Sequence, residues 1–323
     1  MKRFVIYSIT FRFLIFIPII TGISLCSTFY LSHAQQLPQY SQYLINDYIM
    51  NPAIGGSKDH FEAKSNHRYQ WMGIVDAPRT YILSVNGPLR AKKVGVGGYL
   101  FTDITGPTSR VGIYLSYAYH INLNESVKLS LGLFGGILQY NVDGTKITLK
   151  DIADPVIGNE VKSVLIPDAG FGLYLYSKKY YFGVSIPQLL NNKLKLFEDQ
   201  DAILSSLKSH LFMTGGYKIL FSNDFVLEPS FLLKAVRPVP VQLDLSAKII
   251  YRNTVWLGGS FRTYDAMSVL VGYSFKDQIF FGYSFDFSTS DIKNYSAGTH
   301  EIMLGIRFAW KEQEEKSSDS LVE

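Results

Sequence analysis

From Phe61 to Trp310 the sequence is a succession of about fourteen short segments in which apolar and polar residues alternate. Alternation this long is what a strand needs when one face meets lipid and the other a lumen. A sheet crossing hydrocarbon must also close on itself, because an open edge would leave N–H and C=O groups without partners. The pattern therefore predicts an all-β protein, a transmembrane antiparallel β-barrel of about 14 strands.

The segments fall near 60–72, 79–87, 93–104, 109–122, 126–142, 167–177, 179–187, 209–220, 224–236, 239–251, 254–264, 266–276, 278–288 and 299–310. Most are about nine to thirteen residues long, close to the roughly nine to eleven of a tilted strand that spans a bilayer. Connections after even-numbered segments are short, among them Ser177-Lys178-Lys179, Ser222-Asn223-Asp224, Arg252-Asn253 and Lys276-Asp277. The long ones, near 143–166, 188–208 and 289–298, all follow odd-numbered segments. With a periplasmic N-terminus, every short turn is expected on the periplasmic side and every long loop outside. A soluble β-sandwich, the main competing architecture, has no reason to sort loops by parity. Beyond residue 34 no apolar stretch reaches the roughly 18 residues of a membrane helix. The 22 Tyr, 22 Phe and 26 Gly with only 18% charged residues instead suit twisted strands ringed by aromatic girdles.

Lys2, Arg3 and Arg12 precede an apolar run, Phe13 to Leu25, and a Ser32-His33-Ala34 site, which together read as a signal peptide over 1–34. A thirteen-residue run is too short for an anchor. Cys26, the single cysteine, lies inside this segment, and Leu25 before it argues against a lipoprotein. The chain's net charge of +4 includes the three basic groups of this segment, so nothing indicates nucleic acid. Residues 35–59 form an N-terminal periplasmic or plug segment, 60–310 the barrel, and 311–323 a charged tail expected to be disordered in the periplasm. Exported this way, the protein belongs in the outer membrane of a Gram-negative bacterium, in contact with its lipid.

The two faces of the strands differ in charge. Ile279, Phe281, Tyr283, Phe285 and Phe287 alternate with Gly282, Ser284 and Asp286, and Val255, Leu257, Gly259 and Phe261 with Trp256, Gly258, Ser260 and Arg262. Parity assigns Glu62, Lys64, Asn66, Arg68 and Gln70 to the lumen, with Glu228, Lys234, Asp244, Lys248, Arg262, Asp286 and Arg307. A Lys or Arg facing lipid at mid-bilayer would cost about 2–4 kcal/mol. A polar lumen with both signs follows, and two readings of it stand: a water-filled pore, or charges that pair across the interior and close it. The final strand exposes Ile302, Leu304, Ile306, Phe308 and Trp310, the aromatic-rich closing face that outer-membrane assembly machinery reads.

Chemistry-bearing residues are scattered. His60, His67, His120, His210 and His300 sit singly, with no His-x-x-x-His or Cys pair for a metal. His120 beside a distant Ser and Asn is the one conceivable hydrolase, against the simpler reading of a polar interface histidine. Asp143-Gly144 reads as a turn starter, and Asp151 and Asp154 lack the ligand density of a calcium loop. Ala202 to His210 has helical spacing and reads as a short surface helix that docks a partner or packs over the barrel mouth. No cofactor, metal or catalytic residue is expected.

Ahead of the barrel stand Gln39-Tyr40-Ser41-Gln42-Tyr43 and Asn51-Pro52-Ala53-Ile54-Gly55-Gly56-Ser57. The first reads as a helical turn or two, the second as turns that steer the chain into the barrel, and by position the segment could plug the periplasmic mouth. With Arg68-Tyr69-Gln70-Trp71 and Ala77-Pro78-Arg79-Thr80-Tyr81, this opening resembles the PorP/SprF family of Bacteroidetes outer-membrane proteins associated with type IX secretion. The resemblance extends by pattern to the Glu301-Ile302-Met303-Leu304-Gly305 strand and so covers nearly all of the mature chain. It implies a non-enzymatic component whose partners are type IX secretion proteins or a secreted surface protein such as a large adhesin. The alternative is a transporter for a small solute, hydrophobic ones included, since fatty-acid-type channels also combine fourteen strands with an N-terminal plug.

Overall fold

The computed structural model describes residues 37–89, 93–147, 160–194 and 205–308. Fourteen antiparallel strands form one sheet: β1 (Phe61–Tyr69), β2 (Arg79–Leu89), β3 (Val94–Thr105), β4 (Thr108–Asn122), β5 (Lys128–Asp143), β6 (Val161–Tyr176), β7 (Tyr180–Ile186), β8 (Leu211–Tyr217, resumed over Ile219–Leu220), β9 (Phe225–Val236), β10 (Val239–Tyr251), β11 (Val255–Arg262), β12 (Ala266–Phe275), β13 (Ile279–Ser288) and β14 (Thr299–Phe308). Each strand pairs with its successor. β14 then returns to β1, in register from Phe61 opposite Phe308 to Tyr69 opposite His300. The barrel is closed, and the wall has no edge strand. The signal segment, the tail, Trp310, Asp151 and Asp154 lie outside the described residues.

Alternation sets the two surfaces. Leu115, Leu133, Leu257, Val269, Phe281 and Leu304 are among the large apolar side chains exposed on the outside, while their strand neighbours point inward and are buried. Across the seam the rings of Phe61 and Phe308 stack at 5.6 Å. Phe308→Asp replaces that contact with a carboxylate on the lipid face and should lower the amount of protein in the outer membrane severalfold. Membrane levels equal to the parent's would refute a role for this residue in closing the barrel.

The turn end, where even strands pass to odd ones, has tight connections. Arg252 and Asn253 (φ 48° and 54°) and Lys276 and Asp277 (φ 49° and 58°) adopt the left-handed turn conformations that follow strand twist. The expectation that short turns sort to one end holds only in part. Residues 106–107, 237–238 and 263–265 make equally tight links at the opposite, loop end. The longer connections, 70–78, 144–160, 187–210 and 289–298, are all at the loop end.

Two further expectations are corrected. β6 begins at Val161 rather than 167, paired along its whole length with β5. Pro167 is tolerated inside β6 because it lies beyond the last β6–β7 pair, Phe171 with Ile186, where β6 has one neighbour and a missing N–H need not break a ladder. The helix read at Ala202 to His210 is absent from its described part: Ser205–Ser206 instead pairs with Lys193–Leu194 in a small two-stranded ladder. Leu207 is buried against the lumenal apolar cluster, so its apolar spacing reflects packing and not helix.

Candidate functional site

The lumen is occupied by the chain's own N-terminal segment. Residues 37–59 form three short 3-10 turns, Gln42–Leu44, Asp47–Met50 and Pro52–Ile54. The last is built locally. Asn51 caps it, its Oδ1 accepting from the Ala53 amide at 3.0 Å, and Pro52 supplies the preset φ of a first turn. The earlier turns have no side-chain cap, so the barrel wall must hold them.

Contacts of this segment descend the barrel in order. Gln39 Nε2 donates to Gln242 Oε1 at 2.8 Å, and Lys234 Nζ donates to Gln39, near the loop-end limits of β10 and β9. Midway, Asn46 Nδ2 donates to Asn66 at 2.8 Å, Lys64 Nζ to the Ile45 carbonyl at 2.7 Å, and Tyr48 and Ser116 share a hydrogen bond at 2.6 Å. Asn51 Nδ2 donates to the Leu173 carbonyl at 2.9 Å. At the turn end His120 Nε2 meets the Gly55 carbonyl at 2.9 Å, and Lys58 Nζ the Glu62 carboxylate at 2.7 Å. The segment thus crosses the whole lumen, whereas the sequence suggested only a stopper at the mouth.

Close approach makes demands on the wall. A Cβ on Gly95 of β3 would lie 1.8 Å from the Gly55 carbonyl oxygen, and one on Gly132 of β5 would lie 2.3 Å from the Ala53 nitrogen. Any side chain there would displace the segment's backbone.

Ser41 is the hub of a charged cluster at the loop end. Its hydroxyl donates to Asp286 at 2.6 Å and accepts from Arg68 Nη1 and Arg262 Nη2, each at 3.1 Å, while its amide donates to Glu301 at 2.8 Å. One donor and two acceptor sites are all that a serine hydroxyl has. Arg68 also pairs with Asp286 at 2.8 Å and Glu301 at 3.1 Å, and Arg262 with Asp244 at 3.0 Å and Asp265 at 2.9 Å. The side chains of Arg262 and Glu301 are 0% exposed. Gln42 Nε2 donates to the Glu301 carbonyl at 2.8 Å, and Tyr43 hydroxyl to Asp244 at 3.1 Å. Below, Glu62 gathers Lys64 at 2.7 Å and Arg307 at 3.4 Å, and Lys248 reaches Glu228 at 3.5 Å. His60, ahead of β1, is held above its ordinary pKa chiefly by hydrogen bonding to the Glu62 carboxylate, against the opposing effect of burial.

The lumenal residues inferred from parity are therefore brought together, except Gln70, which lies past the end of β1 and donates through its amide to the Pro78 carbonyl at 2.9 Å. Of the remaining motif residues, Thr80 donates to Asp103 at 2.7 Å, and Trp71 (φ 52°) sits at the rim with its amide on Thr299 Oγ1 at 3.1 Å. The positions that parity reasoning passed over are Glu301, Asp103 and Asp168; each lies on the inward face of its strand, which is the signal that could have found them. A wholly polar lumen is also corrected. Between β2 and β9 the inward residues Ile82, Phe101, Tyr114, Phe134, Leu138 and Leu232 form an apolar cluster with Tyr40, Tyr43 and Met50 of the segment.

Residues 32–306 match the family described as type IX secretion system membrane protein PorP/SprF. The chain belongs to that family. PorP/SprF proteins are non-enzymatic membrane barrels, and this one is an outer-membrane barrel of type IX secretion. No curated protein matches it. Among solved structures it is similar to a Pseudomonas aeruginosa FadL homologue, at 10% identity and TM-score 0.48, covering 85% of this chain and 95% of that one. It is also similar to the CymD monoaromatic hydrocarbon channel, at 10% identity and TM-score 0.49, covering 87% and 95%. The residues that carry the PorP/SprF resemblance, Gln39 to Tyr43, Asn51 to Gly56 and Arg68, belong in this structure to the lumenal segment and its receptor on the wall.

Proposed function

We propose that this PorP/SprF barrel is a platform for type IX secretion, engaging a secreted surface protein or a secretion component through its ends, and not a conduit. The observation that carries this reading is the lumen. A segment running from loop end to turn end, fixed by the Ser41–Arg68–Glu301 cluster and by backbone contacts with Gly95 and Gly132, occupies the path a solute would take. Binding to a partner then falls to the exterior, where rim loops are held in place. Met72, in the β1–β2 loop, exchanges backbone hydrogen bonds with Ala297 and Gly298 of the β13–β14 loop, at 2.7 and 2.8 Å.

A transporter remains the second reading because of the aromatic half of the lumen, where Tyr99 stacks on Tyr114 at 4.8 Å and Phe134 meets Tyr114 edge-on at 5.4 Å. Affinity purification from native membranes and comparison of a gene deletion with its parent decide between them. The platform reading expects a co-purifying secretion or surface protein and a secreted-protein profile that loses components. An unchanged profile with loss of uptake of a small apolar solute would overturn it.

A further inference from the structure

We propose that the turn end of the barrel is a docking ring for the phosphate groups of anionic phospholipids in the leaflet that it borders. Lys93, Lys178, Lys179, Lys218 and Lys276 project there, all exposed, from the links before β3, β7 and β13 and from the break in β8. Of the carboxylates at this end, Asp224 faces Arg252 at 2.9 Å and Asp277 faces Arg307 at 2.8 Å, while exposed Glu125, in the β4–β5 link, is a single negative group against the five lysines. None of the ion pairs among the described residues involves the five lysines.

Where this ring sits identifies its occupant. Exposed rings of Tyr180, Tyr217, Phe221 and Phe275 lie beside the lysines in sequence and end the apolar outer wall. Aromatic residues at the edge of an apolar belt mark the level of lipid headgroups. Lys276 Nζ stands 5.3 Å from the Phe275 ring centroid, and the Arg252 guanidinium 5.2 Å from that of Tyr251, with the charged end of each chain on the rim of the belt. An ammonium at that level, on a stem that can lie along apolar surface, meets phosphate oxygens first. The basic ring is thus continuous with the lipid-facing wall and complementary in charge to an anionic headgroup. This inference rests on the barrel alone and not on the platform reading.

The test uses the full folded protein in neutral detergent, with bound lipid counted by native mass spectrometry. The parent should retain phosphatidylglycerol severalfold over phosphatidylcholine, and lose that preference when salt rises from about 0.1 M to about 1 M, which shortens the screening length from about 10 to about 3 Å. The variant carrying Lys178→Gln, Lys179→Gln, Lys218→Gln and Lys276→Gln should lose most of the preference, and the same four positions changed to Arg should restore it; heat-modifiable gel mobility confirms that each is folded. Equal retention of the two lipids by the parent, or an unchanged preference in the Gln variant, overturns the proposal. So does displacement of the lipid by millimolar inorganic phosphate, which would mean a free-phosphate site. Loss of a co-purifying acidic protein in the Gln variant, with no lipid preference in the parent, would assign the ring to a protein and likewise overturn it. The salt titration on the parent stands even where the Gln variant does not fold.

Discussion

Removing residues 37–54 should turn a non-conducting barrel into a conducting one. The wall is held by strand-to-strand ladders that close through β1 and β14, and none of those ladders includes the segment. Its loss leaves an interior lined on one side by Arg68, Arg262, Asp286 and Glu301, groups that water can solvate. Single-channel recording in planar bilayers should show stable openings for the deletion and a flat baseline for the parent, with heat-modifiable gel mobility confirming that the deletion still forms a barrel. A folded deletion as silent as the parent would show that wall side chains alone close the lumen.

Arg262→Met should be the most destabilising single change in the lumen, by about 3–5 kcal/mol, because it strips a buried cluster of one cation and leaves carboxylates without their partner. Among the described residues, Asp244 and Asp265 lose the one guanidinium they pair with, and Asp286 keeps Arg68 alone. Arg252→Met breaks a pair of the same type at 2.9 Å, but its side chains are 61% and 43% exposed, and a solvated ion pair contributes at most about 1 kcal/mol. Urea unfolding followed by tryptophan fluorescence measures both, with Trp256 on the same strand as Arg262. Similar losses for the two variants would remove the cluster from its role in fixing the segment.

Strand parity carried most of the wall. A two-residue period reports which face a side chain takes, and that assigned Lys64, Arg68, Asp244 and Asp286 to an interior where the structure buries them. It does not report what lies opposite. Phe101, Tyr114 and Phe134 face inward, where the segment supplies Tyr40, Tyr43 and Met50 to pack against. The depth of the segment was hidden for the same reason. The groups that hold Ser41 lie at 68, 262, 286 and 301, separations that no short-range pattern conveys. Short loop-end links such as 263–265 defeat the sorting of turns by side, because a tight hairpin carries no mark of the membrane side it faces.

Ser41 and Glu301 stand 260 residues apart in the chain and 2.8 Å apart in space. The receptor for the first part of the protein is thus supplied by the last strands to be made. A chain that stops before β13 has neither Asp286 nor Glu301 to offer, and its leading segment has nowhere to settle. Seating Ser41 is therefore a test of completeness, one that a truncated chain fails however well its earlier hairpins have formed.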